Sequence, residues 1–154
     1  DFELLVVGAG PDQTLIEEAE RQHPWIHYLG PLQDREKAKA LVIADVILNP
    51  GLVGIGILDS FVSGTRMFTT DCGLHSPEIS YLVSGENGVM TANDIDAYTN
   101  AIIAALSDPV VIEKIQEGAR STALRYTVEN MAERLTNGIR ASLSMPRNRS
   151  TQEK

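Results

Sequence analysis

Residues 49–64 read Asn-Pro-Gly-Leu-Val-Gly-Ile-Gly-Ile-Leu-Asp-Ser-Phe-Val-Ser-Gly, and that stretch restricts the fold more than any other. An apolar strand over 44–48 runs into a glycine-rich turn, and the turn opens a short apolar helix over 55–62. A strand that stops at glycines before a helix leaves backbone N–H groups facing outward, and a helix N-terminus of this kind favours an anion, usually a phosphate. Glycines that merely permit tight packing of a βα loop would give the same pattern. Asp59 argues for a ligand. It lies about one turn after Ile55 and Gly56 on the same helical face, where a carboxylate meets the hydroxyls of a ligand whose phosphate sits at the turn.

The rest of the chain repeats the strand–turn–helix unit. Strands are predicted over 2–7, 25–29, 45–48, 66–70 and 88–90, and helices over 13–22, 35–43, 55–62 and 76–83. Such alternation marks βα units around a parallel sheet. Gly8, Gly10 and Pro11 end the first strand, and Gly30 and Pro31 the second. Gly64 suits a helix C-terminus. Ser76, Pro77 and Glu78 read as cap and first positions of a helix. After Thr91 the pattern becomes helical, over 95–106, 110–125 and 128–143, with Thr127 as cap of the last. The polar stretch 145–154 is expected to be a disordered tail.

The chain has 154 residues, a formal charge of −8 and one cysteine. One domain with a good core is expected over 2–144. The acidic balance argues against sequence-independent nucleic-acid binding and against a polybasic membrane patch. Cys72 has no partner for an internal disulfide, which suits a reducing compartment, and it reads as a small packed residue. No apolar run reaches membrane-spanning length. Because a buried strand follows Asp1 at once, the chain reads as a piece cut from a larger protein. His23 and His27 lack metal-ligand spacing. His75 lies in a loop from which it could approach a ligand, and reads more simply as a solvated loop residue. Glu17, Glu18 and Glu20 read as a solvated helix face.

Several motifs, in order, resemble the C-terminal, donor-binding domain of GT-B glycosyltransferases, specifically the retaining family 4. Leu-Leu-Val-Val-Gly-Ala-Gly-Pro over 4–11 is similar to that family's V-G-x-G-P. Ile-His-Tyr-Leu-Gly over 26–30 is similar to its hydrophobic strand ending in L-G, and Ala-Asp-Val-Ile-Leu-Asn-Pro over 44–50 to its A-D-v-x-v-x-P. Residues 54–64 resemble G-L-x-x-L-E-A-x-A-x-G. Pro77 and Glu78 fit its P-E, Asn87 and Gly88 its N-G, and residues 126–133 its aromatic-[ST]-x-E-x-x-A-E closing helix. The resemblance covers roughly residues 2–143.

It implies a Rossmann-like α/β domain with C-terminal helices, holding a nucleoside-diphosphate sugar at the C-terminal ends of parallel strands. The implied donor contacts are Leu29, Gly30 and Pro31 at the nucleobase, Leu52, Val53, Gly54 and Ile55 at the diphosphate, and Asp59 at the ribose. Glu78 follows the next strand. At the second position of a helix an acid also favours the dipole without any ligand, so both roles stay open for it. No cofactor beyond the donor and no metal are implied. No catalytic residue is assigned, because the acceptor side belongs to an N-terminal domain expected elsewhere in the same protein. The expected setting is cytoplasmic, peripheral to a membrane only through that domain. The chain departs from the family pattern where Gly51 replaces the first acid of its acid pair and Asp59 replaces the second, usually Glu. A nucleotide-sugar epimerase of GT-B architecture and a non-catalytic nucleotide-sugar-binding module are the alternatives.

Overall fold

A computed structural model describes residues 2–145. Strand β1 (Leu4–Val7), helix α1 (Gln13–Gln22) and strand β2 (Ile26–Gly30) form the first βα unit. Helix α2 (Asp34–Ile43) leads to β3 (Val46–Asn49), α3 (Gly56–Ser63) and β4 (Arg66–Asp71). A 3-10 helix (Pro77–Tyr81) and β5 (Val89–Ala92) follow, then α4 (Ile95–Leu106), α5 (Pro109–Ala123) and α6 (Val128–Ser144). The tail expected from Met145 lies, beyond that residue, outside the described residues.

Among the described residues every strand pairing is parallel, as the βα alternation requires. The strands form two sheets. In one, β1 pairs with β2, with Leu4 opposite Ile26 and a register shift after Val6. In the other the order is β3-β4-β5, with Val46 opposite Arg66 and Phe68 opposite Val89. The expectation of a Rossmann-like parallel arrangement flanked by helices holds, with α2 as the passage between the two sheets.

The core lies over the second sheet. Ile57, Ser60 and Phe61 recur at helical spacing on α3 and are all fully buried. Ile57 and Phe61 pack with Val53, Met67, Leu82 and Ala119. Ser60 satisfies its buried hydroxyl by donating to the Ile57 carbonyl at 2.7 Å. Gly64 ends the helix in the left-handed region at φ 70°, as its place at the C-terminus predicted. Thr127 caps α6 by accepting from the Asn130 N–H. The Tyr98 hydroxyl of α4 donates to the Phe68 carbonyl of β4 at 3.0 Å.

One predicted helix is corrected. Residues 76–83 do not form an α-helix with a Ser76 side-chain cap; they make the 3-10 turn, and the Ser76 hydroxyl caps nothing. The cause is Asn87, which is buried. Its Oδ1 accepts from the Val83 N–H at 2.7 Å, and its Nδ2 donates to the Tyr81 carbonyl and the Thr122 hydroxyl. Backbone groups that would extend a helix are spent on this turn. The next turn, Gly85 to Asn87, lies against α5 so closely that a Cβ at Gly118 would run into the Glu86 carbonyl. Among the described residues, no single helix is long and apolar enough to cross a membrane.

Candidate functional site

The glycine turn is held from three sides. At the exit of β3 the Asn49 amide donates to the Leu52 carbonyl at 3.4 Å. The Thr70 hydroxyl donates to the Pro50 carbonyl, tying the exit to the end of β4. Val53 is the anchor, since its side chain is fully buried in the core. Its carbonyl accepts from the Ser76 N–H at 3.1 Å, and its own N–H donates to His75 Nδ1 at 3.1 Å.

Beyond that anchor the chain turns into α3 without a side-chain cap. Ile55 occupies the cap position and has no side-chain oxygen to offer. Among the described residues, the N–H groups of Gly54, Ile55 and Gly56 meet no acceptor. The helices that follow β1 and β2 also lack side-chain caps, whereas Asp94, Asp108 and Thr127 cap α4, α5 and α6. Three adjacent donors without a protein acceptor at the positive end of a helix dipole are an arrangement that suits an anion. A Cβ at Gly54 would lie 3.6 Å from the Ser76 hydroxyl, an ordinary contact. The glycine is therefore not demanded by protein packing. Leu52 and Ile55 stand exposed beside the turn.

Asp59 lies one turn along α3. Its Oδ2 is 3.0 Å from the Lys37 ammonium of α2, and both side chains are close to half exposed. Oδ1 has no protein partner among the described residues, so the carboxylate keeps an acceptor free. Glu78, half-buried at the start of the 3-10 turn, follows the two residues that clamp Val53. Leu29, Gly30 and Pro31 end β2 in the other sheet. Leu29 and Pro31 are exposed. Gly30 adopts φ 65° and its carbonyl accepts from the Gly8 N–H at 2.9 Å. They connect to the turn through α2, which leaves Pro31 and carries Lys37 to Asp59. A concavity of about 270 Å³ opens beside them at the end of β1, lined by Val7, Gly8, Gly10, Pro11, Gln13 and Tyr28.

Lys37, which the sequence did not single out, and His75, for which a solvated loop position was the simpler reading, belong to the frame of this turn. Lys37 carries no local signal, because its partner is 22 positions away. His75, expected to be a solvated loop residue, is half-buried and bonded at both ring nitrogens. His27 pairs with Glu3 at 2.6 Å. Among the described residues no group of three or more His, Cys, Asp or Glu side chains is placed to hold a metal ion.

The model of a family described as Glycosyl transferases group 1 matches residues 1–108. The phosphatidyl-myo-inositol mannosyltransferase of Mycobacterium leprae (strain TN) is 28% identical over 135 residues, covering 82% of this chain and 34% of that protein. The protein of the same name from Mycolicibacterium smegmatis is 30% identical over 113 residues, covering 70% of this chain and 28% of that one. The chain thus spans about a third of the length of the curated relatives it matches. Among solved structures, Anabaena HepE in complex with UDP superposes with a TM-score of 0.72 at 16% identity, covering 91% of this chain and 41% of that one. Sucrose-phosphate synthase from Thermosynechococcus elongatus gives 0.74 at 18% identity, covering 92% and 38%. These likenesses show the fold, that of the Rossmann-like domain of GT-B glycosyltransferases.

Proposed function

The chain belongs to the glycosyl transferases group 1 family, and from that premise we propose that it is the donor-binding domain of a retaining glycosyltransferase. The donor is a nucleoside-diphosphate sugar, and the reaction passes its glycosyl group to an acceptor hydroxyl. The observation that carries this reading is the uncapped start of α3, with the amides of Gly54, Ile55 and Gly56 free and Asp59 one turn beyond. Negative charge grows on the departing diphosphate as the glycosidic bond breaks. Fixed amides need no reorganisation to meet that charge. Relatives named mannosyltransferases and a fold neighbour in complex with UDP support a nucleotide-sugar donor. The acceptor and any general base belong to the remainder of the protein.

The ribose contact gives the test. The free Oδ1 of Asp59 accepts hydrogen bonds from ribose hydroxyls while Oδ2 stays with Lys37. A hydrogen bond to a charged group contributes about 1.5–3 kcal/mol. Asp59→Ala is therefore expected to weaken binding of a ribonucleoside diphosphate by about ten-fold or more, and to leave the 2′,3′-dideoxy analogue nearly unchanged. Calorimetric titration of parent and variant against UDP and GDP and their dideoxy forms decides it. Equal losses on both kinds of ligand would make Asp59 a support of the turn and withdraw the ribose assignment.

A further inference from the structure

We propose, resting on the donor-binding reading above, that His75 is a positioning residue of the anion site: its neutral imidazole fixes the glycine turn so that the amides of Gly54, Ile55 and Gly56 face the diphosphate. The ring bridges two elements. Nδ1 accepts the Val53 N–H at 3.1 Å, so it carries a lone pair and no proton. Nε2 therefore carries the proton, and it donates to the Thr70 carbonyl at 3.0 Å. The network leaves one tautomer. The Cys72 sulfur lies 3.5 Å from Nε2 and is itself within hydrogen-bond reach of the Leu74 carbonyl.

The bridge matters because of where Val53 sits. Its side chain is locked in the core and its carbonyl is held by the Ser76 N–H. With His75 on its N–H, all three of its fixing points are occupied, and the next three residues start from a rigid anchor. His75 also decides which amides meet the ligand. It removes the Val53 N–H from the anion site and leaves the following three. A residue that sets the geometry of donors it does not itself supply acts through them, by preorganisation. An imidazole suits the task because one small ring accepts on one side and donates on the other.

Single substitutions separate the two ends of the ring. His75→Asn keeps an acceptor near the Nδ1 position and loses the distant donor. His75→Gln keeps a polar group near Nε2 and loses the near acceptor. Affinity for UDP, GDP and ADP is measured by calorimetry, and hydrogen exchange follows the Val53 amide. His75→Ala and His75→Gln are expected to weaken the best-bound nucleoside diphosphate by about ten-fold, the scale of one hydrogen bond to a buried donor, and to unprotect the Val53 amide. His75→Asn is expected to restore both. A merely structural histidine would lower the thermal midpoint in all three variants with no such split. Unaltered diphosphate binding by His75→Ala, or Asn behaving like Gln, overturns the positioning role while the donor-binding reading stands. If the parent binds none of the three diphosphates, the donor-binding reading falls, and this inference with it.

Discussion

The two sheets are built from the same strand–helix unit, yet they are packed differently. Above β3-β4-β5, Val53, Ile57, Phe61 and Phe68 are fully buried. In the β1-β2 unit, with α1 and α2, Ile26 is the one buried side chain among the described residues, and Val7, Leu15 and Leu29 are exposed. The turn that offers free amides stands on the dense half, where Val53 can be pinned. The edges formed by Gly8 and Gly10 and by Leu29 to Pro31 stand on the thin half.

The largest expected effect tests that asymmetry directly. Phe61→Ala removes a fully buried ring from the dense half and should cost about 3–5 kcal/mol. Leu15→Ala, on the exposed surface of α1, should stay within about 0.5 kcal/mol. Urea unfolding of both variants measures the contrast. Comparable losses would mean that the thin half holds packing that its exposure conceals.

Much of the dense half was legible in the sequence. Apolar spacing on α3, Gly64 at its end and the glycine turn before it are local signals, and each became the predicted element. The αα region with Thr127 as cap was legible for the same reason. What escaped were partners distant in the chain. Strand patterns mark Leu4 to Val7 and Val46 to Asn49 as strands but carry nothing about which edge each one pairs. The 3-10 turn at Pro77 was misread because Asn87, ten residues on, takes the bonds a helix would use. His75 read as solvated because Val53 and Thr70 meet it only after β3, β4 and the turn have assembled. Asp59 was singled out by its helical position, whereas the candidate contacts from Leu52 to Ile55 came from a motif, and motif spacing cannot tell that the Val53 N–H is already occupied.

A smaller effect should appear in alkali, again on the dense half. Burial pushes the Tyr98 phenol up to about 12, against a lesser opposing effect of a backbone hydrogen bond at Asn49. Its folded value lies above the unfolded value of about 10, so its contribution is complete below about pH 10. Between about pH 10 and 12 the unfolded chain releases the proton more readily than the folded one, and stability falls. The urea midpoint of the parent should therefore drop more steeply over that window than that of Tyr98→Phe, which has no proton to lose. Parallel curves for the two proteins would show that the phenol does not sense its burial under α4.

The smallest effect lies where the halves meet. Lys37 on α2 and Asp59 on α3 form the ion pair that joins the thin half to the helix of the glycine turn. Both side chains are close to half exposed, so solvent screens the pair and holding two side chains in one geometry costs entropy. A coupling of about 0.2–1 kcal/mol is expected from a double-mutant cycle of Lys37→Met, Asp59→Asn and the double variant. Salt should reduce it further. The same cycle read in ligand binding sharpens the comparison. If the pair merely staples the halves together, Lys37→Met should leave nucleoside diphosphate affinity unchanged. If Lys37 aims the carboxylate so that Oδ1 faces the ribose, Lys37→Met should weaken the ribonucleoside diphosphate and spare its 2′,3′-dideoxy form. It would then reproduce part of the loss caused by Asp59→Ala. A coupling well above 1 kcal/mol in stability would contradict the exposure of the pair. It would also show that the thin half leans on the dense one more heavily than its sparse burial implies.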